Sequence, residues 1–317
     1  MRWSPIHGLA NGIHGTSSQC RALSDRAVGR PLCHDGRIHP LGETRVSDHY
    51  GFETLATTVE DRILTVRFNR PDRLNALNAL MHSELRDLYG RIERDTAVDV
   101  VVLTGAGKAF CVGADFDQME ENLARGGYPD GHPSLLGEAA TMARNILAIR
   151  QPMIAAINGD AIGLGATLAL FCDVTYMSRG ARIGDPHVRA GIVAGDGGPV
   201  LWPMLVGANR AKEYLMTGDL LGADEAERIG LVNHVVELDE LEAAAMKMAR
   251  KLAAGPQIAL RFNKRLVNKD LEERVNKLYD LSLALEAITF ETQDHQEAVR
   301  AFLEKRKPVF GQNRNQN

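Results

Sequence analysis

The sequence predicts an α/β body followed by an all-helical region, and three observations carry that prediction. Between about residues 52 and 236, short apolar runs alternate with stretches of helical period. Two of those runs end in glycine-punctuated loops, as strands buried on both faces commonly do. After about Glu237, four helical patterns follow one another with no strand pattern between them.

Residues 1–48 stand apart. They hold six Arg, no Lys and six Gly, with His7, His14, His34 and His39, and no apolar periodicity of either kind. Such a stretch buries too little to offset its ordering entropy, so a disordered extension is expected. No apolar h-region follows Arg2, which argues against a secretory signal. Cys20, Cys33 and His34 lack zinc-finger spacing. Deleting residues 1–45 is expected to leave activity intact.

Regular patterning begins near Tyr50. Phe52–Val59 and Ile63–Phe68 alternate around Glu60-Asp61, which reads as a β-hairpin closed by Pro71. Leu80, Met81, Leu85, Leu88 and Ile92 recur at helical spacing, with Asn78 placed to cap. Val100–Leu103 reads as a buried strand stopped by Gly105 and Gly107. Leu135–Ile149 is helical up to Pro152, Met153–Ile157 is a second buried strand, Leu164–Phe171 a short helix and Val174–Met177 a third strand. Strands alternating with helices imply parallel pairing through right-handed crossovers. Leu238–Leu252, Pro256–Val267, Leu271–Thr292 and Asp294–Arg306 complete the chain as helices. The expected organisation is an extension (1–48), an α/β core (49–236), a helical region (237–310) and a disordered tail (311–317).

Composition narrows the function classes. The 317 residues carry 37 Lys plus Arg against 41 Asp plus Glu, a net charge of −4, so no basic footprint for nucleic acid is present. No run of about 18 apolar residues marks a membrane span. Four scattered cysteines (Cys20, Cys33, Cys111, Cys172) read as reduced thiols. A cytoplasmic enzyme is the expectation.

Two segments share one design. Val100–Leu103 runs into Thr104-Gly105-Ala106-Gly107-Lys108-Ala109-Phe110-Cys111-Val112-Gly113-Ala114-Asp115, and Met153–Ile157 into Asn158-Gly159-Asp160-Ala161-Ile162-Gly163-Leu164-Gly165-Ala166-Thr167. Glycine lets backbone approach a ligand, and a helix start leaves N–H donors unpaired, so the second loop suits an oxygen carrying negative charge. Ordinary tight packing of a sheet is the competing reading. Neither loop is a nucleotide motif. Ala109 stands where a P-loop needs Ser or Thr, and Leu168 where a dinucleotide fingerprint needs its third glycine.

Together these segments resemble the crotonase (enoyl-CoA hydratase/isomerase) superfamily. Arg70-Pro71, Asn75-Ala76-Leu77, Cys172-Asp173, Gly195-Asp196-Gly197-Gly198, Ala208–Gly218 and Ala223–Val232 add to the likeness, which covers roughly residues 52–310. The resemblance implies a crotonase-like spiral of ββα units with an all-helical C-terminal region, and trimers that pair as hexamers. It implies an acyl-CoA thioester, or a related carbonyl compound, whose enolate oxygen sits between two backbone N–H groups, here Ala114 and Leu164. It implies no metal or redox cofactor, coenzyme A entering as part of the substrate. Arg73–Leu77 matches the loop that meets the CoA adenine, which makes Arg73 and Ala76 candidate contacts. With Asp115, Gly163 and Thr167 they form the expected substrate-binding set.

The sequence departs from that pattern at two places. Hydratase members carry two glutamates that handle a water and the substrate proton. Thr167 holds the place of the first, and His187, after Pro186, that of the second. Histidine, with an ordinary pKa of about 6.5, suits acid–base work, and a carboxylate partner fixes its tautomer. Asp196 lies nine residues on, across a loop that turns at Gly191 and Gly195. The bland reading makes His187 a surface loop residue and Asp196 the cap of a helix starting near Pro199.

The same His-then-Asp spacing is similar to the β-diketone hydrolase (6-oxocamphor hydrolase) branch, which cleaves C–C bonds with a His–Asp pair. That branch also uses a histidine near the second oxyanion position, where Leu164 stands here. Three readings follow: an acyl-CoA hydratase/isomerase with a His187–Asp196 dyad, a C–C bond hydrolase of β-dicarbonyl compounds, and a non-catalytic CoA-binding protein. Among lesser candidates, Asp115 and Asp117 read as loop-structuring, Cys111, Phe290 and Phe302 as core, and Lys264 and Arg265 as a solvated face.

Overall fold

Asp61 and Arg62 both take positive φ (49° and 64°), and this two-residue turn joins β1 (Leu55–Glu60) to β2 (Ile63–Phe68) as a tight hairpin. The computed structural model describes residues 48–124 and 132–311. The expected extension and tail, apart from residues 48 and 311, lie outside them. β1 starts at Leu55 rather than Phe52 because the Glu84 carboxylate takes the Glu53 and Thr54 amides at 2.8 and 2.9 Å.

α1 (Ala79–Arg94) begins where expected, the Asn78 side chain accepting from the Met81 amide at 3.0 Å. Its apolar stripe, Met81, Leu85, Leu88, Tyr89 and Ile92, is buried. β3 (Val100–Gly105), α2 (Phe116–Ala124), α3 (His132–Ala148) and β4 (Met153–Ile157) follow. Next come β5 (Ala161–Ile162), α4 (Leu164–Leu170), β6 (Val174–Ser178), β7 (Arg182–Gly184), α5 (Gly198–Val206) and α6 (Ala208–Thr217). β8 (Leu221–Gly222), α7 (Ala223–Arg228) and β9 (His234–Val236) close the α/β part, before α8 (Leu238–Ala253), α9 (Gln257–Val267), α10 (Lys269–Phe290) and α11 (Gln293–Leu303).

The larger sheet has strand order β1-β2-β3-β4-β6-β9 and is parallel except for the hairpin. A smaller sheet, β5-β7-β8, stands beside it. β3 and β4 are buried along their whole length, which is why they read as unbroken apolar runs. α8 lays Leu241, Ala245 and Ala249 on one sheet face, against Ile63, Val100, Val102, Ile154 and Ala156. The opposite face carries the main core with α1, α3 and α4.

Strands β5, β7, β8 and β9, absent from the sequence reading, are two or three residues long, too short to show an alternation. The cap role considered for Asp196 is overturned: Gly197 caps α5, with no side-chain cap bond.

Candidate active site

Both glycine loops are held by backbone hydrogen bonds, and the Ala114 and Leu164 amides take no part in them. The Leu77 amide donates to Gly113 O at 2.7 Å, and the Asp115 amide to Leu77 O at 3.0 Å. Successive amides of an extended segment point to opposite sides, so Ala114 N–H faces away from Leu77. In the second loop the Gly163 amide donates to Gly184 O at 2.9 Å, and the Thr167 amide closes the first turn of α4 on Gly163 O at 3.0 Å. Leu164, the first residue of α4, has no intrahelical acceptor for its N–H. Among the described residues neither the Ala114 nor the Leu164 amide makes a hydrogen bond.

The loops interlock closely. The Cys111 amide donates to Asp160 O and the Ile162 amide to Cys111 O, at 3.1 and 2.9 Å. A Cβ on Gly165 would run into Cys111 O, so only glycine lets α4 start against the first loop. Gly163, at φ +56°, makes the turn between them.

A cavity of about 260 Å³ opens here, lined by Ala114, Gly163, Leu164 and His187 together with Phe116, Met119 and Phe302. The His187 ring lies against the second turn: a Cβ on Gly163 would meet its Cε1 at 3.3 Å and Nε2 at 3.7 Å. His187 is not a surface residue, its side chain being 13% exposed. Nδ1 is hydrogen-bonded to Asp185 Oδ1, and Nε2 lies 3.4 Å from Asp196 Oδ2 and 3.9 Å from Glu286 Oε1. The structure thus brings His187 and Asp196 together, and adds beside them Asp185 and Glu286, which the sequence reading did not single out.

Thr167 is buried and its hydroxyl donates to Asp196 Oδ1 at 3.3 Å, away from the cavity wall. Asp115 is tied to Arg70 Nη2 at 2.9 Å, in keeping with its loop-structuring role. Arg73 is exposed, at the end of a 3₁₀ turn (Pro71–Arg73), and pairs with Asp117. Ala76 is buried, its carbonyl accepting from Arg70. Neither Arg73 nor Ala76 lines the cavity.

The segment after His187 is clamped from the C-terminal helices. His295 Nδ1 bonds Ala190 O at 2.8 Å, and Thr289 Oγ1 accepts from the Val193 amide at 3.1 Å. Ser282 Oγ donates to Gly195 O at 2.7 Å and Tyr279 Oη to Asp196 O at 2.8 Å. Two lesser expectations are corrected. Phe302 is 56% exposed and stacks on Phe116 at the cavity rim instead of joining the core. Lys264 is 8% exposed, its Nζ 2.8 Å from Asp173 Oδ2, because α9 turns it inward.

Burial by itself would lower the His187 pKa. The charges of Asp185 and Asp196, with their hydrogen bonds, outweigh it and hold the imidazole well above its ordinary range. Burial pushes Glu286 up to about 8, aided by Asp196 and opposed by His187. Burial also lifts the Cys111 thiol to about 12, which removes it as a nucleophile. As a donor set, Asp185, His187 and Asp196 bring ligand atoms within 4.8 Å of one another, a negative cluster that a proton or a small cation can neutralise. In its resting form the site therefore presents an imidazolium, beside two unpaired amides, in a largely apolar cavity.

Comparison with known proteins gives a consistent answer. The sequence profile of the enoyl-CoA hydratase/isomerase family matches residues 58–313. A crotonyl-CoA hydratase of Syntrophomonas wolfei is 36% identical over 260 residues, covering 82% of this chain and 98% of that protein. A short-chain-enoyl-CoA hydratase of Clostridium acetobutylicum is 39% identical over 253 residues, covering 78% and 94%. The crystal structure of an enoyl-CoA hydratase/isomerase from Mycobacterium paratuberculosis superposes with a TM-score of 0.75 at 35% identity, over 79% of this chain and 99% of that one.

Proposed function

The chain belongs to the enoyl-CoA hydratase/isomerase family and has its crotonase-like α/β fold with a helical C-terminal region, and on that premise we propose that it acts on an acyl-CoA thioester through an enolate. It is an enzyme of the lyase/isomerase class, as its relatives are. In this reading the thioester oxygen accepts from the Ala114 and Leu164 amides. Fixed donors aimed at a developing oxyanion contribute about 3–4 kcal/mol each. His187 Nε2–H then donates a proton to the enolate carbon, in place of the carboxylic acid that hydratases use there. Asp196 takes the proton of an attacking water when the reaction is hydration. Thr167, a hydroxyl with no base function near neutral pH, orients Asp196.

One observation supports this most: the imidazole is packed on the Gly163–Leu164 turn, between carboxylates that keep it charged. A panel of enoyl- and acyl-CoA thioesters tests it. Hydration or double-bond migration is expected, with His187→Ala losing about 10²–10⁴ in kcat. A loss under tenfold discards the role of His187. Tight thioester binding without turnover would mean a CoA-binding protein instead.

The His187–Asp196 contact also fits C–C bond hydrolysis of β-dicarbonyl compounds, where the imidazole takes a proton from water. That reading requires the unprotonated ring, so its rate would rise with pH, whereas a proton-donating His187 loses activity as pH rises. The donor role is favoured because two carboxylates hold the ring charged. Arg73 and Ala76 as CoA contacts, and the absence of a metal or redox cofactor, belong to the same proposal. So does a trimer or hexamer, supported by the exposed apolar face Ile258, Phe262 and Leu266 on α9. A cytoplasmic site of action is supported by the free buried thiols Cys111 and Cys172. No described helix is long and apolar enough to cross a membrane.

A further inference from the structure

β2 alternates with the strand period of two, so Leu64, Val66 and Phe68 enter the main core while Ile63, Thr65 and Arg67 face α8. Along that face the sheet changes character toward the carboxyl ends of its parallel strands. Ile63, Val100 and Ile154 begin it as apolar cover for α8, and Arg67, Thr104 and Asn158 end it as polar groups. Between this polar end and α8 lies a cavity of about 190 Å³, which shares no lining residue with the one at His187.

The polar groups of its wall differ in what they leave open. Thr104 Oγ1 donates to Ala156 O at 2.8 Å. Asn158 is engaged with the first glycine loop, accepting from the Gly105 amide at 3.0 Å and donating to Gly107 O at 3.1 Å. Arg67 is half-buried and has no ion-pair partner among the described residues. Its one hydrogen bond there runs from Nη1 to Gly105 O at 3.3 Å, so the other guanidinium donors stay open. The Thr65 hydroxyl, two residues back on the same face, makes no hydrogen bond among the described residues. An open guanidinium in a concave site suits a carboxylate, a planar anion that two parallel N–H···O bonds can hold.

The remaining walls narrow the ligand further. Val102, Ala156, Leu241, Ala245 and Met246 are apolar and offer an alkyl chain contacts that a bare inorganic anion cannot use. Glu242, exposed on the α8 side, repels a second negative charge and so selects a monoanion. The volume equals that of about six waters in the liquid, and a four-carbon carboxylate has as many non-hydrogen atoms. We infer that this cavity binds a short-chain aliphatic monocarboxylate, with the carboxylate on Arg67 and Thr65 and the chain against α8. Because the two cavities have no residue in common, the site stands whether or not the proposed reaction does.

Butyrate is the probe, and the ε-methyl groups of ¹³C-labelled methionine are the reporters. Met246 lines this cavity and Met119 the one at His187, so the two are read separately. Each signal is assigned by its loss in Met246→Leu or Met119→Leu. Butyrate should shift Met246 with a dissociation constant of about 1–10 mM, as so small a ligand permits. Arg67→Gln should weaken that binding about tenfold and Thr65→Val about threefold, with any response at Met119 unchanged. Inorganic phosphate at the same concentrations should leave Met246 in place. Thermal melts check the fold of both variants, and Thr65→Val, which removes only an unbonded hydroxyl, keeps the test valid if Arg67→Gln unfolds. The inference is overturned if Met246 does not move by about 50 mM butyrate, or if Met119 alone moves. An equal response to phosphate, or unchanged affinity in folded Arg67→Gln, overturns it as well.

Discussion

Asp196→Asn separates a proton-donating His187 from every other role for it. Asp196 Oδ2 lies 3.4 Å from His187 Nε2 in a largely buried setting. Two unit charges at that distance interact by about 5 kcal/mol at an effective dielectric of about 20. At 1.36 kcal/mol per pK unit, that caps the fall in the His187 pKa at about 3.5 units. Two compensations reduce it. Asp185 stays bonded to Nδ1, and Glu286, relieved of the Asp196 charge, ionises more readily 3.9 Å from Nε2. The net fall should be about 1–2 units. The assay is hydration of crotonyl-CoA, followed by loss of the enoyl thioester absorbance from pH 5 to 10. The alkaline limb of kcat should move to lower pH by that amount, on top of a lower plateau. Stability should follow the same sign. The folded pKa of His187 is raised, so the stability its proton contributes is present below about 6.5 and lost as pH rises through the folded value. Thermal melts of Asp196→Asn should lose that increment at lower pH than the wild type. A limb that stays in place, or moves up, refutes the donor role.

Other outcomes follow from single contacts. Gly163→Ala combines a positive φ with a Cβ 3.3 Å from His187 Cε1, so it should lose about 1–2 kcal/mol in chemical denaturation and at least tenfold in kcat. Equal kcat would show that the turn does not position the ring. Lys264→Met leaves Asp173 without its cation and should cost about 2 kcal/mol, less than for a fully buried pair because Asp173 is partly exposed. Urea midpoints measure it, with kcat unchanged. The Cys111 thiol, lifted to about 12, should react with iodoacetamide at pH 8 about a hundredfold more slowly in the native protein than after denaturation. Equal rates would contradict its burial.

Elements that bury whole apolar runs announce themselves in a sequence, and those that act through single contacts do not. β3 and β4 were readable because both their faces are covered, and α1 because Asn78 caps a clean apolar stripe. The four short strands carry no period to read. In the site, His187 stood out as a departure from a familiar pattern, and Asp196 as a carboxylate nine residues on, across a glycine-turned loop. Asp185 was in plain view two residues before His187, and an Asp-x-His pair at a strand end was the available signal. Glu286 also left a trace. The buried positions of α10 are Val275, Tyr279, Ser282, Leu283, Glu286 and Phe290, so a glutamate interrupts a face that is otherwise apolar or aimed at the loop. Reading the helix only for amphipathic period hides that anomaly.

On the proposed reaction, replacing a glutamate by His187 inverts the electrostatic task of the surroundings. A carboxylic acid donor must be kept neutral, which burial does unaided. An imidazolium donor must be kept charged, and burial works against it. Carboxylates are therefore required within a few ångströms, and Asp185 and Asp196 supply them on the two ring nitrogens. Two carboxylates against one cation leave a buried surplus of negative charge. Burial and the Asp196 charge accordingly push the nearby Glu286 carboxyl up to about 8. Had the donor stayed a glutamate, an ionised Asp196 beside it would have raised its pKa further, and Glu286 would have had no cation to answer. The four side chains thus form one electrostatically coupled unit, and changing Asp185, Asp196 or Glu286 should shift the titration of His187.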